Sequence, residues 1–379
     1  MNDSCLNESA RRPTSSGAAS ARVIVAMSGG VDSSVAALLL QRAGLEVVGV
    51  TLHLWDYPDD SEPGRCCAPE DQYDARRVAD QLGFPHFTFD RRELFEQHVV
   101  RPFVDAYLSG ATPSPCVSCN RTVKLRELFP IADRLGAQFV ATGHYARVRA
   151  NGDAHELHRG VDRKKDQSYF LHMLEQHELA RLMLPLGDLR KEEVRALAVE
   201  AALPGATKGE SQELCFVASG EYEVFVEDRA DGRTRPGPIV DASGAVVGRH
   251  AGVHRFTIGQ RKGLGVALGK PAFVTRVDGA SAAVHLGSEE DLLADRAVLG
   301  SDVVFPSGAS LPCEATVQVR ARHEGAHAAL SIEKEGEEAR VVVRFDEGVR
   351  AISPGQIAVA YEGTRVLGGG TIVRGERAS

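Results

Sequence analysis

An apolar, β-branched run at residues 22–27 stops at Ser28-Gly29-Gly30-Val31-Asp32-Ser33-Ser34, and a helical pattern follows. Paired glycines let a turn take positive φ and aim successive N–H groups inward, which makes a nest for an anion. The helix N-terminus adds partial positive charge, and the hydroxyls of Ser28, Ser33 and Ser34 add donors. Asp32 suits such a site only if a divalent cation accompanies the anion, a carboxylate on Mg²⁺ being the usual arrangement. The expected chemistry is binding of a metal-complexed phosphate. No lysine follows these glycines as in a Walker loop, and Gly269-Lys270 lacks the upstream glycine and runs into Pro271. The G-x-G-x-x-G spacing of dinucleotide sites is also absent.

The second chemical element is Thr112-Pro113-Ser114-Pro115-Cys116-Val117-Ser118-Cys119-Asn120, followed by Arg121, Lys124 and Arg126. The prolines stiffen the approach, and the pattern predicts a helix starting at about residue 118–121. A thiol near a helix N-terminus with cations at hand is favoured as thiolate. Cys119 fits that description better than Cys116. Cys215, at a polar-to-apolar junction, is a third candidate. Cys-x-x-Cys spacing leaves a metal pair, a redox pair or a nucleophile open, including a zinc site made with Cys66 and Cys67. Cys5 and Cys313 are assigned no role. Seven cysteines at irregular spacing in a long chain point to a reducing, cytoplasmic setting rather than a disulfide framework.

The elements that must position these groups alternate. Strands are expected at residues 22–27, 47–52, 86–89 and 138–142, with helices over 31–39, 70–82, 92–108, 121–135, 166–174 and 191–202. That order predicts an α/β fold with a doubly wound parallel sheet, whose ligands lie beyond the carboxyl ends of the strands. After about residue 220 helical periodicity fades. From about 295 the pattern has period two, over 315–322, 328–334, 339–345, 356–361 and 366–373, which predicts a small antiparallel β-barrel. The expected division is a disordered leader (1–20), a catalytic domain (21–220), a central domain (221–292) and the barrel (293–379).

The 379 residues carry a formal charge of −8, from 44 basic and 52 acidic groups, which argues against a uniformly basic nucleic-acid binder. No apolar run approaches the ~20 residues of a membrane span, and no secretory signal opens the chain. A membrane partner is not expected. The charge is uneven, however. Residues 249–276 hold Arg249, Arg255, Arg261, Lys262, Lys270 and Arg276 without one Asp or Glu, and 144–165 is also rich in basic residues. Both stretches suggest an anionic partner.

The loop at residues 28–34 resembles that of ATP pyrophosphatases, which cleave ATP to AMP and pyrophosphate while adenylating an acceptor. Within that superfamily the chain resembles the tRNA-specific 2-thiouridylases over roughly residues 22–373. The resemblance rests on Ala26-Met27-Ser28-Gly29-Gly30-Val31-Asp32-Ser33-Ser34, on residues 112–120, and on Ala141-Thr142-Gly143-His144-Tyr145-Ala146. It continues through Lys165-Asp166-Gln167-Ser168-Tyr169-Phe170-Leu171, Cys215-Phe216, residues 256–265 and Ser353-Pro354-Gly355-Gln356.

The resemblance implies that Ala26, Met27, Ser28, Gly29, Gly30, Val31, Asp32, Ser33, Leu52 and Gly143 bind ATP, with Mg²⁺ on its phosphates and Asp32 its protein ligand. The wobble uridine O2 would attack the α-phosphate. A sulfur donor protein would load Cys215 with a persulfide, and Cys119 would complete release, leaving a Cys119–Cys215 disulfide. Ser114, Pro115 and Cys116 would meet the target base, while His144, Lys165, Asp166, Gln167, Arg320 and Gln356 would contact the anticodon arm of tRNA. The chain departs from the family at Ser114, where Asn is usual, and at Arg320-Ala321, where an Arg-Tyr pair is usual. Cys116, an Asp in some relatives, opens an alternative in which Cys116, Cys119 and Cys215 hold a [4Fe–4S] cluster carrying sulfide. Another adenylating synthetase acting on a small molecule, or a non-catalytic RNA-binding module, would leave the cysteines or the phosphate loop without a task.

Overall fold

The computed structural model describes residues 20–56, 69–206, 208, 214–217, 222–306 and 308–377. The leader up to residue 19, with Cys5, and the pair Cys66 and Cys67 lie outside the described residues. The chain divides into two compact units. The first comprises residues 1–99, 116–216 and 364–366, and the second residues 100–115, 217–363 and 367–379.

The first unit is built on a five-stranded parallel sheet in the order β3-β2-β1-β4-β7, as the alternation of elements predicts. β1 (Arg22–Ala26) lies between β2 (Glu46–His53) and β4 (Phe139–Ala141), with Val23 opposite Val47 on one side and Phe139 on the other. Val23, Ile24 and Val25 are fully buried, as a strand covered on both faces requires. β3 (His86–Asp90) and β7 (Leu182–Met183) form the edges. Around the sheet lie α1 (Val31–Arg42), α2 (Pro69–Leu82), α3 (Leu125–Arg134) and α4 (Lys191–Glu200). Val35 and Leu38 of α1 share one core with Val78 of α2 and with Val194 and Ala198 of α4.

Three local differences from the sequence patterns have physical causes. The helix expected over 166–174 shrinks to a 3₁₀ turn at Ser168–Leu171. The Asp166 carboxylate takes the N–H groups of Gly160 and Ser168 and so competes with helical bonding. Residues 144–165 contain a hairpin of β5 (Ala146–Asn151) and β6 (Ala154–Arg159) that turns at Gly152, φ 57°. The helix expected at about 118–121 begins earlier, at Pro115. Proline suits the first helical position because its missing N–H has no partner there. The segment Pro115–Cys119 widens into a π-helical turn, Asn120–Lys124, before α3. Cys116 therefore stands in the first turn and Cys119 at the segment's end, which moves the helix-terminus argument from Cys119 to Cys116.

The second unit holds a four-stranded sheet in the order β10-β11-β8-β9, from β8 (Gly237–Val240), β9 (Val246–His250), β10 (Phe273–Asp278) and β11 (Ala283–Gly287). A helix that the fading periodicity does not announce, α5 (Tyr222–Arg229), packs Phe225 on Phe103 and Tyr222 on Tyr107. Its apolar residues Val224, Phe225 and Val226 are consecutive, so no helical spacing is legible. Six strands then make the barrel: β12 (Leu293–Leu299), β13 (Cys313–Gln318), β14 (Ala326–Glu335), β15 (Glu338–Arg350), β16 (Ile357–Glu362) and β17 (Arg365–Glu376). Their order is β12-β15-β14-β13-β16-β17, and β12 pairs back onto β17 with Ala297 opposite Gly375. Closure removes the sheet edges, and Val317, Leu330, Val343 and Ala360 fill the interior.

Candidate active site

The carboxyl ends of β1, β2 and β4 open on a cavity of about 210 Å³ in the first unit. Ala26, Met27, Ser28, Asp32, Ser33, Leu52 and Gly143 line it, together with His144 and Gln167. Gly29, Gly30 and Val31 complete the loop without lining the cavity. Gly29 has φ +77°, and a Cβ there would lie 2.1 Å from the Asp71 carbonyl oxygen, so only glycine fits. A Cβ on Gly143 would sit 2.8 Å from the Ser33 nitrogen, which keeps this turn against the start of α1.

The cavity lining is of two chemical kinds. In the polar part, Ser28 N–H donates to Ser33 Oγ at 3.2 Å, and Ser33 Oγ donates to the Gly30 carbonyl at 3.0 Å. The apolar part includes Leu52, Leu54, Leu125 and Leu128. A flat apolar base joined to a charged tail matches that division.

Asp32 is not solitary. Lys191 Nζ lies 2.7 and 2.9 Å from its two carboxylate oxygens, and Tyr145 Oη donates to Oδ1 at 2.7 Å. The Asp32 side chain is 34% exposed, whereas that of Lys191 is 7% exposed. Tyr145 is held by Gln167, whose Oε1 accepts its N–H at 3.0 Å and whose N–H donates to its carbonyl at 2.9 Å. Gln167 thus reaches the site through Tyr145 as well as by lining it. Tyr145 stands in the 141–146 motif without being singled out there, and Lys191 appears in the sequence only as the first residue of an expected helix.

His144 lines the cavity with Nδ1 2.8 Å from Thr142 Oγ1. Burial, with Lys124 adding like charge, pushes its imidazole down to about 3, so the ring is neutral near pH 7. Lys124 itself lines the cavity from the π-helical turn. Beside Gly29, Asp71 and Asp74 share Lys208 Nζ at 3.0 and 2.5 Å. Burial raises the Asp71 carboxyl above the usual range, against the pull of Lys208.

Asp166 is placed differently from His144 and Gln167. Its side chain is 7% exposed and binds Arg159 Nη1 at 3.0 Å, besides the N–H groups of Gly160 and Ser168 and the Ser168 hydroxyl. It organises the turn that presents Gln167. Lys165, half-buried, donates its N–H to the Asp162 carbonyl in the same turn.

Cys116 is exposed, Cys119 buried and Cys215 half-buried, and none of them is in a disulfide. Spaced by three residues, Cys116 and Cys119 lie on one helix face. Phe216, next to Cys215, packs edge-on against Trp55 and Phe95. Among the described residues no three His, Cys, Asp or Glu side chains group to hold a metal ion. The three thiols thus do not fit an iron–sulfur cluster as they stand.

Ser114, Pro115, Arg320 and Gln356 belong to the second unit. There the Gln356 amide donates to the Thr112 and Pro113 carbonyls at 3.0 and 3.4 Å, and Thr112 N–H donates to the Pro354 carbonyl at 2.8 Å. Gly355, φ +87°, lets this turn approach, since a Cβ would sit 3.0 Å from the Thr112 oxygen. Arg320 donates to the Arg350 carbonyl at 3.2 Å. In the acid-free stretch Arg255 pairs with Glu227, while Arg261 and Lys262 are exposed.

Three family models match in succession: a tRNA methyl transferase HUP domain over residues 21–219, a tRNA methyl transferase PRC-barrel domain over 224–288 and an aminomethyltransferase β-barrel domain over 296–372. The tRNA-specific 2-thiouridylase MnmA of Sorangium cellulosum is 64% identical over 365 residues, covering 95% of this chain and 94% of that protein. The chain belongs to the tRNA-specific 2-thiouridylase family. The members from Chloroflexus aggregans and Solibacter usitatus are each 47% identical, covering 94% and 92% of this chain and 99% and 98% of theirs. No helix among the described residues is long and apolar enough to cross a membrane.

Proposed function

We propose that this 2-thiouridylase family member replaces the C2 oxygen of a tRNA wobble uridine with sulfur, at the expense of ATP. The observation that carries the reading is the cavity at the strand ends, lined both by Ser28, Asp32 and Ser33 of the loop and by Leu52, Leu54, Leu125 and Leu128. ATP would place adenine on the leucines and its phosphates on the loop. The hard oxygen donors Asp32, Ser28 and Ser33 suit Mg²⁺, which would supply charge neutralisation for the phosphates.

The uridine O2 attacks the α-phosphorus, and pyrophosphate leaves. The adenylated oxygen becomes a good leaving group. A persulfide on Cys215, loaded by a sulfur donor protein, attacks C2 through its terminal sulfur, and AMP departs with the original oxygen. A Cys119 thiolate then attacks the Cys215 sulfur, releasing 2-thiouridine and leaving a Cys119–Cys215 disulfide. An external thiol returns the two electrons before the next turnover. The persulfide route needs only the two thiols of Cys119 and Cys215, where a cluster needs at least three ligands grouped together. Ser114, Pro115 and Cys116 would face the base, with Lys165, Arg320 and the exposed Arg261 and Lys262 on the anticodon arm. An anticodon base must leave its stack to be reached, which accounts for a chain that carries RNA-gripping domains besides a catalytic one. A cytoplasmic location goes with the tRNA substrate.

The family models' names favour methyl transfer as a second reading. Such a reaction needs neither a phosphate nest nor a sulfur carrier. The test supplies tRNA, Mg·ATP and a persulfide donor, then analyses digested tRNA by mass spectrometry. Oxygen-to-sulfur exchange with release of AMP and pyrophosphate, lost in C215S, is expected. An added methyl group, or full thiolation by C215S, overturns the reading.

A further inference from the structure

The phosphate loop has no lysine in its own sequence, yet the fold delivers one. Lys191, the first residue of α4, is 159 positions from Asp32 and bonds both of its carboxylate oxygens. An ammonium 7% exposed is costly to keep charged without a partner, and the Asp32 carboxylate supplies one. Asp32, its side chain 34% exposed, lines the cavity together with Ser28 and Ser33. Tyr145 fixes it from another side, with its ring 5.8 Å from Lys191 Nζ.

We propose that Lys191 is a ligand of the ATP polyphosphate, held beside the loop by Asp32 until nucleotide arrives. This rests on the ATP reading above and adds a residue to it. Asp32 and a phosphate oxygen are interchangeable partners for one ammonium. Both are anionic oxygen acceptors, and both take a charge-assisted bond from a donor at this range. Lys191 therefore pairs with Asp32 before nucleotide binds and with the phosphates afterwards. It supplies from a distant helix the point charge that a Walker loop carries in its own sequence. The exchange also leaves the Asp32 carboxylate available to the accompanying cation at the moment the phosphates come in.

The test is calorimetric titration of the full chain with the Mg²⁺ complex of a non-hydrolysable ATP analogue, and separately with adenosine, which has no phosphates. K191Q keeps an amide donor for Asp32 but no charge, and K191R keeps the charge. Analogue affinity should fall about 10- to 100-fold in K191Q, the range for a lost hydrogen bond between charged groups, and less in K191R. Adenosine affinity should stay within about twofold in both, which also shows the cavity intact. AMP should fall between adenosine and the analogue. Unchanged analogue affinity in K191Q, or an equal fall for analogue and adenosine, overturns the proposal. Failure of the wild type to bind the analogue would overturn the ATP reading itself, and with it this one.

Discussion

Two aspartates of the first unit sit in similar pairs and are put to different uses. Asp32 meets Lys191 and Asp166 meets Arg159, each at about hydrogen-bond distance and each with a cation less than a tenth exposed. Asp166 is sealed, with Arg159, two backbone N–H groups and a hydroxyl around it. Asp32 keeps a third of its side chain open to a cavity. A sealed pair fixes a backbone turn and cannot exchange partners without unfolding it. An open pair can trade one partner for a ligand. Exposure on one side, rather than the strength of the pair, separates a structural aspartate from one poised for chemistry.

The contrast is sharpest in stability. Asp166→Ala takes a carboxylate away from the buried Arg159 and from two backbone N–H groups, and should cost about 3–5 kcal/mol in denaturant unfolding. Asp32→Asn should cost distinctly less, because water reaches Lys191's partner through the cavity, while AMP release falls by at least about tenfold for the loss of a charged contact. Equal destabilisation by both changes would erase the distinction.

His144 tests the desolvation of the same cavity. Its folded-state value, about 3, lies below the ordinary 6.5, so the unfolded chain takes up a proton that the folded chain refuses. Stability is present above 6.5 and is lost as pH falls from there towards 3, at up to about 1.4 kcal/mol per pH unit from this group. His144→Gln should flatten that slope by one proton. An unaltered pH dependence would mean that the ring is already hydrated.

The smallest effect is expected at Gln356. Its amide is committed to the Thr112 and Pro113 carbonyls within the second unit. Gln356→Ala should cost about 1 kcal/mol, the net worth of a neutral hydrogen bond. tRNA affinity measured alongside shows whether the side chain also touches RNA. A stability unchanged within error would mean that the Gln356 bonds to Thr112 and Pro113 are not formed in solution.

Much of this was legible from local pattern. The β-branched run at 22–27, the glycine pair and the period-two strands after 295 each encode their structure within a few residues, so the parallel sheet and the barrel could be read directly. The loop residues were legible as a set because one turn holds them together. Asp166 was legible as belonging to a motif but not as sealed inside it. That depends on Arg159, Gly160 and Ser168 closing around it. Cys119 was placed at a helix start because a proline pair looks like a stiff lead-in, whereas Pro115 is already the first helical residue.

By itself, the sequence announced the parallel sheet, the barrel strands and the glycine turn after β1, since these follow from backbone conformation and residue chemistry at short range, whereas the turn at Ser168–Leu171, the β5–β6 hairpin and α5 escaped it. Only the tertiary structure decided who stands beside whom. The lysine absent from the phosphate loop comes from α4, and the tyrosine that steadies Asp32 comes from the turn before β5. A charge acts over a few ångströms of space and is indifferent to distance along the chain, so no spacing in the sequence announces Lys191.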